Sequence, residues 1–178
     1  VTQVAASTLN PTVPVGSTQN FESAASEYYS VAADPNNTNR WAIVYTDDIG
    51  NKYVYLKIIT RSGTALTMSS ASAVNTGGNA SLPVVAWDKK TSGTLLVCYN
   101  QSSKKAKVSG SAGSETFTYG SELDIGYDLF YSPTLSSLGT TGNYLLTYDK
   151  SSNYYMYGIV LSVSGTTVTI GTETSISS

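Results

Sequence analysis

The acids come first among the residues that could do chemistry. A glycosidase needs two carboxyl groups flanking one bond, and Asp47 and Asp48 are the obvious pair, but they are adjacent in Thr46-Asp47-Asp48-Ile49-Gly50, which reads as a turn. Neighbours in a turn diverge, so the pair reads as solvated. Asp34 and Asp88 are more regular: each stands eleven residues ahead of a tyrosine, Tyr45 or Tyr99. As turn initiators they would accept backbone N–H bonds. The functional alternative is a polar contact to a sugar or a cation from a loop at one end of the fold. Ser137 holds the matching place ahead of Tyr148.

There is no histidine in the 178 residues. That removes the commonest general base and the commonest metal ligand. The Ser-x-Asp-x-Gly-x-Thr-Trp turn of sialidase-like propellers is missing, as is the Asp-x-Asp-x-Asp-Gly spacing of calcium loops. The expectation is a protein that is not an enzyme and carries no cofactor and no metal. The one cysteine, Cys98, lies in Thr94-Leu95-Leu96-Val97-Cys98-Tyr99 and reads as a small buried hydrophobe.

Aromatic residues offer a better ligand hypothesis, because flat sugar faces stack on tyrosine rings. Tyr53, Tyr55, Tyr155 and Tyr157 are expected to project from the third strand of their units and to contact either a glycan or another subunit, with cross-strand packing as the plainer alternative. Trp41 and Trp87 read as packing residues. Sequons occur at Asn36, Asn79 and Asn100, with Asn36 the most loop-like.

Charged residues make up 12% of the chain, the net charge is −2, and tyrosine occurs 14 times. Polarity comes from hydroxyls and amides, a mixture that suits pleated strands and polar turns. Without a basic run, nucleic acid is not an expected partner. No stretch approaches 18 consecutive apolar residues, so membrane insertion is not expected either. The start, Val1-Thr2-Gln3, has neither an initiating Met nor a signal-peptide pattern and reads as a cut or processed end.

The elements that would position these residues repeat. Trp41-Ala42-Ile43-Val44-Tyr45, Leu95-Leu96-Val97-Cys98-Tyr99 and Tyr144-Leu145-Leu146-Thr147-Tyr148 each end in tyrosine, at spacings of 54 and 49. Before each lies a shorter strand-like piece, and after each a third strand, Tyr53 to Thr60, Ala106 to Ser111 or Tyr155 to Val163. Turns at Ser62-Gly63, Ala112-Gly113 and Ser164-Gly165 supply the glycine that a tight hairpin needs. A fourth strand follows, Ala65 to Val74, Glu115 to Ile125 or Thr167 to Ile176. The second strand is apolar on both faces and reads as an inner strand covered on either side.

Four antiparallel strands about every fifty residues match β-propeller blades, with a solenoid as the alternative. The expected fold is all-β and β-propeller-like, with about three and a half blades in one structural domain. Residues 1–27 would be the third and fourth strands of an incomplete first repeat, followed by repeats over 28–78, 79–128 and 129–178. Closed rings carry four to eight blades. Either the 178 residues are an excerpt, or other subunits complete the assembly.

Ser164-Gly165-Thr166-Thr167-Val168-Thr169-Ile170-Gly171-Thr172-Glu173 and, more loosely, Ala112-Gly113-Ser114-Glu115-Thr116-Phe117-Thr118-Tyr119-Gly120-Ser121-Glu122 resemble the repeats of phage tail-fibre and other virion appendage proteins. The likeness runs from Gly16 onward and departs at Lys104-Lys105-Ala106-Lys107, where the flanking units have Tyr-Val-Tyr and Tyr-Met-Tyr. It implies a non-catalytic structural or adhesive module on a virion surface, extracellular, partnered by copies of itself or other virion proteins and by host-surface glycans. A subunit of a bacterial extracellular filament or adhesin is the alternative, and a glycoside-active propeller enzyme a third.

Overall fold

The computed structural model describes residues 20–22, 24–48, 50–111, 117–126 and 130–177. Among the described residues fifteen strands fall into three antiparallel sheets. Sheet A contains β1 (Ser26–Ala33), β2 (Arg40–Asp47), β3 (Val54–Ser62), β4 (Ala65–Met68) and β5 (Ser72–Ala73). Sheet B contains β6 (Ser81–Trp87), β7 (Thr94–Asn100), β8 (Lys104–Ser111), β9 (Phe117–Tyr119) and β10 (Leu123–Gly126). Sheet C contains β11 (Phe130–Leu138), β12 (Asn143–Lys150), β13 (Met156–Ser164), β14 (Thr167–Ile170) and β15 (Thr174–Ser175). The chain is all-β and built of propeller-like four-strand blades.

In each sheet the fourth strand is two pieces that pair with the same third strand, rather than one continuous strand. The breaks have local causes. In blade A the Ser69 side chain accepts the Ile58 N–H at 3.0 Å, replacing a ladder bond. In blade C a Cβ at Gly171 would stand 2.9 Å from the Val160 carbonyl, and in blade B a Cβ at Gly120 would collide with the Thr166 carbonyl of blade C. Only glycine lets the backbone approach this closely.

Blade A begins at Ser26, within the span read as the incomplete repeat; residues 1–19 and the turn at Ala112-Gly113 lie outside the described residues. The turns at Gly63 and Gly165 have φ of 60° and 58°. There the missing Cβ removes the left-handed penalty.

The first strands β1, β6 and β11 are the inner edges of their sheets, with β6 beside both others. Two cores lie between the blades. Ala42, Val44, Leu56 and Ile58 of blade A pack on Val85, Trp87, Leu95, Val97 and Tyr99 of blade B. The opposite face of blade B, with Val84, Leu96, Cys98 and Ala106, packs on Phe130, Tyr144, Leu146, Tyr148 and Leu161 of blade C. Each buried Val or Leu contributes about 1.5–3 kcal/mol.

The expectation for the second strand holds in β7, which is buried from Leu95 to Asn100, and nearly so in β2. In β12 burial alternates, since Tyr144, Leu146 and Tyr148 face blade B while Leu145 and Thr147 face away. The sequence is apolar on both faces; only the neighbours differ.

Candidate functional site

At one end of the blades, first strands pass into second strands, with Asp34 and Asp88 in the connecting loops and Ser137 near the end of β11. Asp34 is buried; its Oδ1 accepts the Asn36 N–H at 2.9 Å and its Oδ2 accepts Arg40 Nε at 2.6 Å. The Arg40 guanidinium lies 4.8 Å from the Trp87 ring centre, and Trp87 donates to the Ala32 carbonyl at 3.0 Å. Asp88 is equally buried and accepts the Lys90 N–H at 2.8 Å, while its own carbonyl receives the Asn36 side chain at 3.0 Å. Both aspartates thus organise turns and the seam between blades A and B. Ser137 and Tyr144, paired across β11 and β12, bury hydroxyls without a hydrogen-bond partner.

Towards their opposite ends the second strands carry Tyr45, Tyr99 and Tyr148, all buried. Each hydroxyl donates to a glutamate: Tyr45 to Glu22, Tyr99 to Glu122, Tyr148 to Glu173. A lysine meets each glutamate in turn, Lys57 at 3.3 Å from Glu22, Lys105 at 3.5 Å from Glu122, and Lys150 on Glu173. Burial, then the glutamate beside it, pushes the Tyr45 and Tyr99 hydroxyls well above the usual phenol range. They stay protonated donors at neutral pH.

These clusters were not read from the sequence, although Glu122 and Glu173 stand 51 residues apart. Blade A has Ala71 at the matching place and takes Glu22 from the segment ahead of β1, with Phe21 edge-on to Tyr45 at 5.4 Å. The lysines also come from different strands, β3, β8 and β12. Lys105, opposite Tyr99, stands where Tyr55 and Tyr157 oppose Tyr45 and Tyr148, which accounts for the departure of the second unit from the Tyr-x-Tyr pattern.

The four tyrosines expected on third strands divide into two kinds. Tyr55 and Tyr157 are half-buried and stack on Tyr45 and Tyr148 at 5.8 and 6.4 Å, so they cover the glutamate clusters. Tyr53 and Tyr155 precede their strands; Tyr53 is half-buried against Tyr55, and Tyr155 is exposed. Asp47 accepts the Tyr53 N–H at 2.6 Å while Asp48 reaches Lys52 at 3.5 Å, so the adjacent acids point to different partners. Of the sequons, Asn36 is exposed and Asn100 buried, its amide bonded to both backbone groups of Phe130.

The feature with the most regular geometry lies on the inner strands, at the glutamate end. Each carries a β-bulge near its start: between Glu27 and Tyr29, between Ser81 and Val84, and between Tyr131 and Thr134. Each bulge holds a non-glycine residue in left-handed conformation, Tyr28 (φ 44°), Leu82 (φ 51°) and Ser132 (φ 46°). Such conformations cost about 1–3 kcal/mol each, and bulges re-aim side chains. Here they frame a concavity of about 220 Å³ lined by Tyr28, Tyr29, Ser30, Leu82, Pro83 and Pro133.

A second concavity of about 350 Å³ continues along the same strands past Ser30, Val84 and Pro133 towards Thr134, Ser136 and Lys89. Tyr28 and Tyr29 are exposed at the mouth, and Tyr131 stacks on Tyr154 at 5.9 Å. The proline after Leu82 and after Ser132 was the available sequence signal.

No family model, curated protein or solved structure matches the chain. Among the described residues no group of three or more His, Cys, Asp or Glu is placed to hold a metal ion, and no helix is long and apolar enough to cross a membrane.

Proposed function

We propose that this chain is a non-catalytic structural and adhesive module of an extracellular appendage, of the virion-fibre kind its repeats resemble, and that it contacts surface glycans through the groove along its inner strands. The observation carrying this reading is the recurrence of the strained bulge at Tyr28, Leu82 and Ser132, which turns three rigid strands towards one aromatic concavity. Flat sugar faces suit Tyr28 and Tyr29, and the hydroxyls of Ser30, Thr134 and Ser136 suit sugar hydroxyls. As edge strands, β1, β6 and β11 also turn unladdered backbone groups towards the groove. The non-catalytic part is supported by the engagement of the acids: Glu22, Glu122 and Glu173 bond buried tyrosines, and Asp34 bonds Arg40.

The test is titration of a panel of neutral and sialylated oligosaccharides, followed by two-dimensional NMR. Perturbations should centre on Tyr28, Tyr29 and Ser30, and a Tyr28→Asn/Tyr29→Ser variant should bind about tenfold or more weakly. Asn tolerates the left-handed conformation at position 28, so folding is preserved. Binding to no member of the panel would remove the adhesive role, and turnover of any of them would remove the non-catalytic one.

A further inference from the structure

Resting on the reading of the inner-strand groove as a glycan site, we infer that this groove selects acidic oligosaccharides, holding the carboxylate of a uronic or sialic acid at its loop end while neutral rings lie on Tyr28 and Tyr29. Charge is segregated along the blades. At the end where first strands turn into second strands, the described acids are Asp34 and Asp88, both buried, the first paired with Arg40. The other described acids lie towards the end that carries Tyr45, Tyr99 and Tyr148. The exposed charges among the described residues of the loop end are therefore Arg61, Lys89 and Lys90, all positive, in a chain whose net charge is −2. Arg61 bonds the neutral Asn39 side chain at 3.0 Å, and none of the three meets a carboxylate among the described residues.

The groove leads from the aromatic end to this positive end. It follows β1 from Tyr28 to Ala33, roughly 16 Å at about 3.3 Å per residue, so an extended oligosaccharide reaches both. Lys89 is the one charged residue lining either concavity, and Lys90 lies along the blade C hairpin, its Cδ 3.7 Å from a Cβ built on Gly142. Ser137 is a second, independent indication. It lines the same concavity as Lys89, is 9% exposed, and its hydroxyl has no hydrogen-bond partner, whereas nearly all buried polar groups have one. Asp34 and Asp88, at the matching places in blades A and B, are engaged in their own turns. Rotation about the Ser137 Cα–Cβ bond offers its hydroxyl to a carboxylate oxygen, a charge-assisted bond. Apolar walls such as Val84, Val85 and Leu135 strengthen the field of Lys89 inside the groove.

The experiment is calorimetric titration of the full chain with tetragalacturonate against its carboxyl-reduced counterpart, and with sialyllactose against lactose. The acidic member of each pair should bind about tenfold more tightly at low salt, and the difference should shrink as salt rises from about 0.01 to 1 M. Lys89→Gln should weaken the acidic ligands about two- to fivefold. Lys89→Glu/Lys90→Glu should erase the preference, with neutral-ligand affinity and circular dichroism unchanged, whereas Tyr28→Asn/Tyr29→Ser should weaken both members of each pair alike. Equal affinity for the two members, or a preference that survives Lys89→Glu/Lys90→Glu, would overturn the inference and leave the groove a glycan site. Binding of none of the four would remove the glycan reading and the inference with it. Single-stranded DNA bound as tightly as tetragalacturonate, and released by the same lysine variant, would overturn it too, by making the loop end a general anion surface.

Discussion

Arg40 holds Asp34 from the first residue of the second strand, its Nε 2.6 Å from Oδ2, while its guanidinium covers the Trp87 ring of the next blade. This contact ties the local turn to the seam between blades. Removing one partner of a buried pair leaves an uncompensated charge, at a cost of about 3–5 kcal/mol. Arg40→Ala should lower unfolding stability by that order in urea titrations. Arg40→Lys should recover only part, because a lysine ammonium lacks the planar face that stacks on the indole. A loss well under 1 kcal/mol for Arg40→Ala would show that the pair is not holding the seam.

Two tyrosines separate a satisfied hydroxyl from an unsatisfied one. Tyr99 donates to Glu122, so Tyr99→Phe strips a charge-assisted bond and should cost about 1.5–3 kcal/mol. Tyr144 is buried and its hydroxyl has no partner, so Tyr144→Phe should be neutral or stabilising by up to about 1 kcal/mol. Equal losses in chemical denaturation of the two variants would contradict the assignment.

Alkali should unfold the protein. Burial raises the hydroxyls of Tyr45, Tyr99 and Tyr144 far above the ordinary value, with glutamates adding to the effect at the first two and Asp88 at the third. In the unfolded chain these groups titrate near 10, so the unfolded state loses protons first. Their contribution is fully present below that pH and is lost as pH rises towards the folded values. Each such group should steepen the decline by about 1.4 kcal/mol per pH unit above pH 10. Urea midpoints from pH 8 to 11 would read this, and a flat profile would refute it.

Cys98 is wholly buried, and burial alone pushes its thiol upward. Native protein should react with a thiol-specific disulfide reagent only as fast as it opens, whereas unfolded protein should react at once. Rapid stoichiometric labelling under native conditions would mean that β7 is not sandwiched between blades.

The blade repeat was legible in the sequence because its causes are local. A tyrosine closing each apolar second strand, glycines at the hairpins, and alternation in Val54, Leu56 and Ile58 all act within a few residues. The turn role of Asp34 and Asp88 was legible for the same reason, since each carboxylate meets a backbone N–H two residues on. The split of each fourth strand was not, because at Gly120 it depends on how close the next blade comes.

Sequence by itself therefore determined the unit, its strand order and which faces are apolar. Tertiary structure decided what those faces meet. Lys57 and Lys105 stand at different registers of the third strand and Lys150 on a second strand, yet each converges on the same kind of glutamate, because a partly buried carboxylate takes its cation from whichever strand lies within reach. Likewise Val31 and Val85 are the same residue at the same register, and only the presence of blade A over Val85 makes one core and the other surface. Burial belongs to the neighbour as much as to the side chain, and a linear pattern does not contain the neighbour.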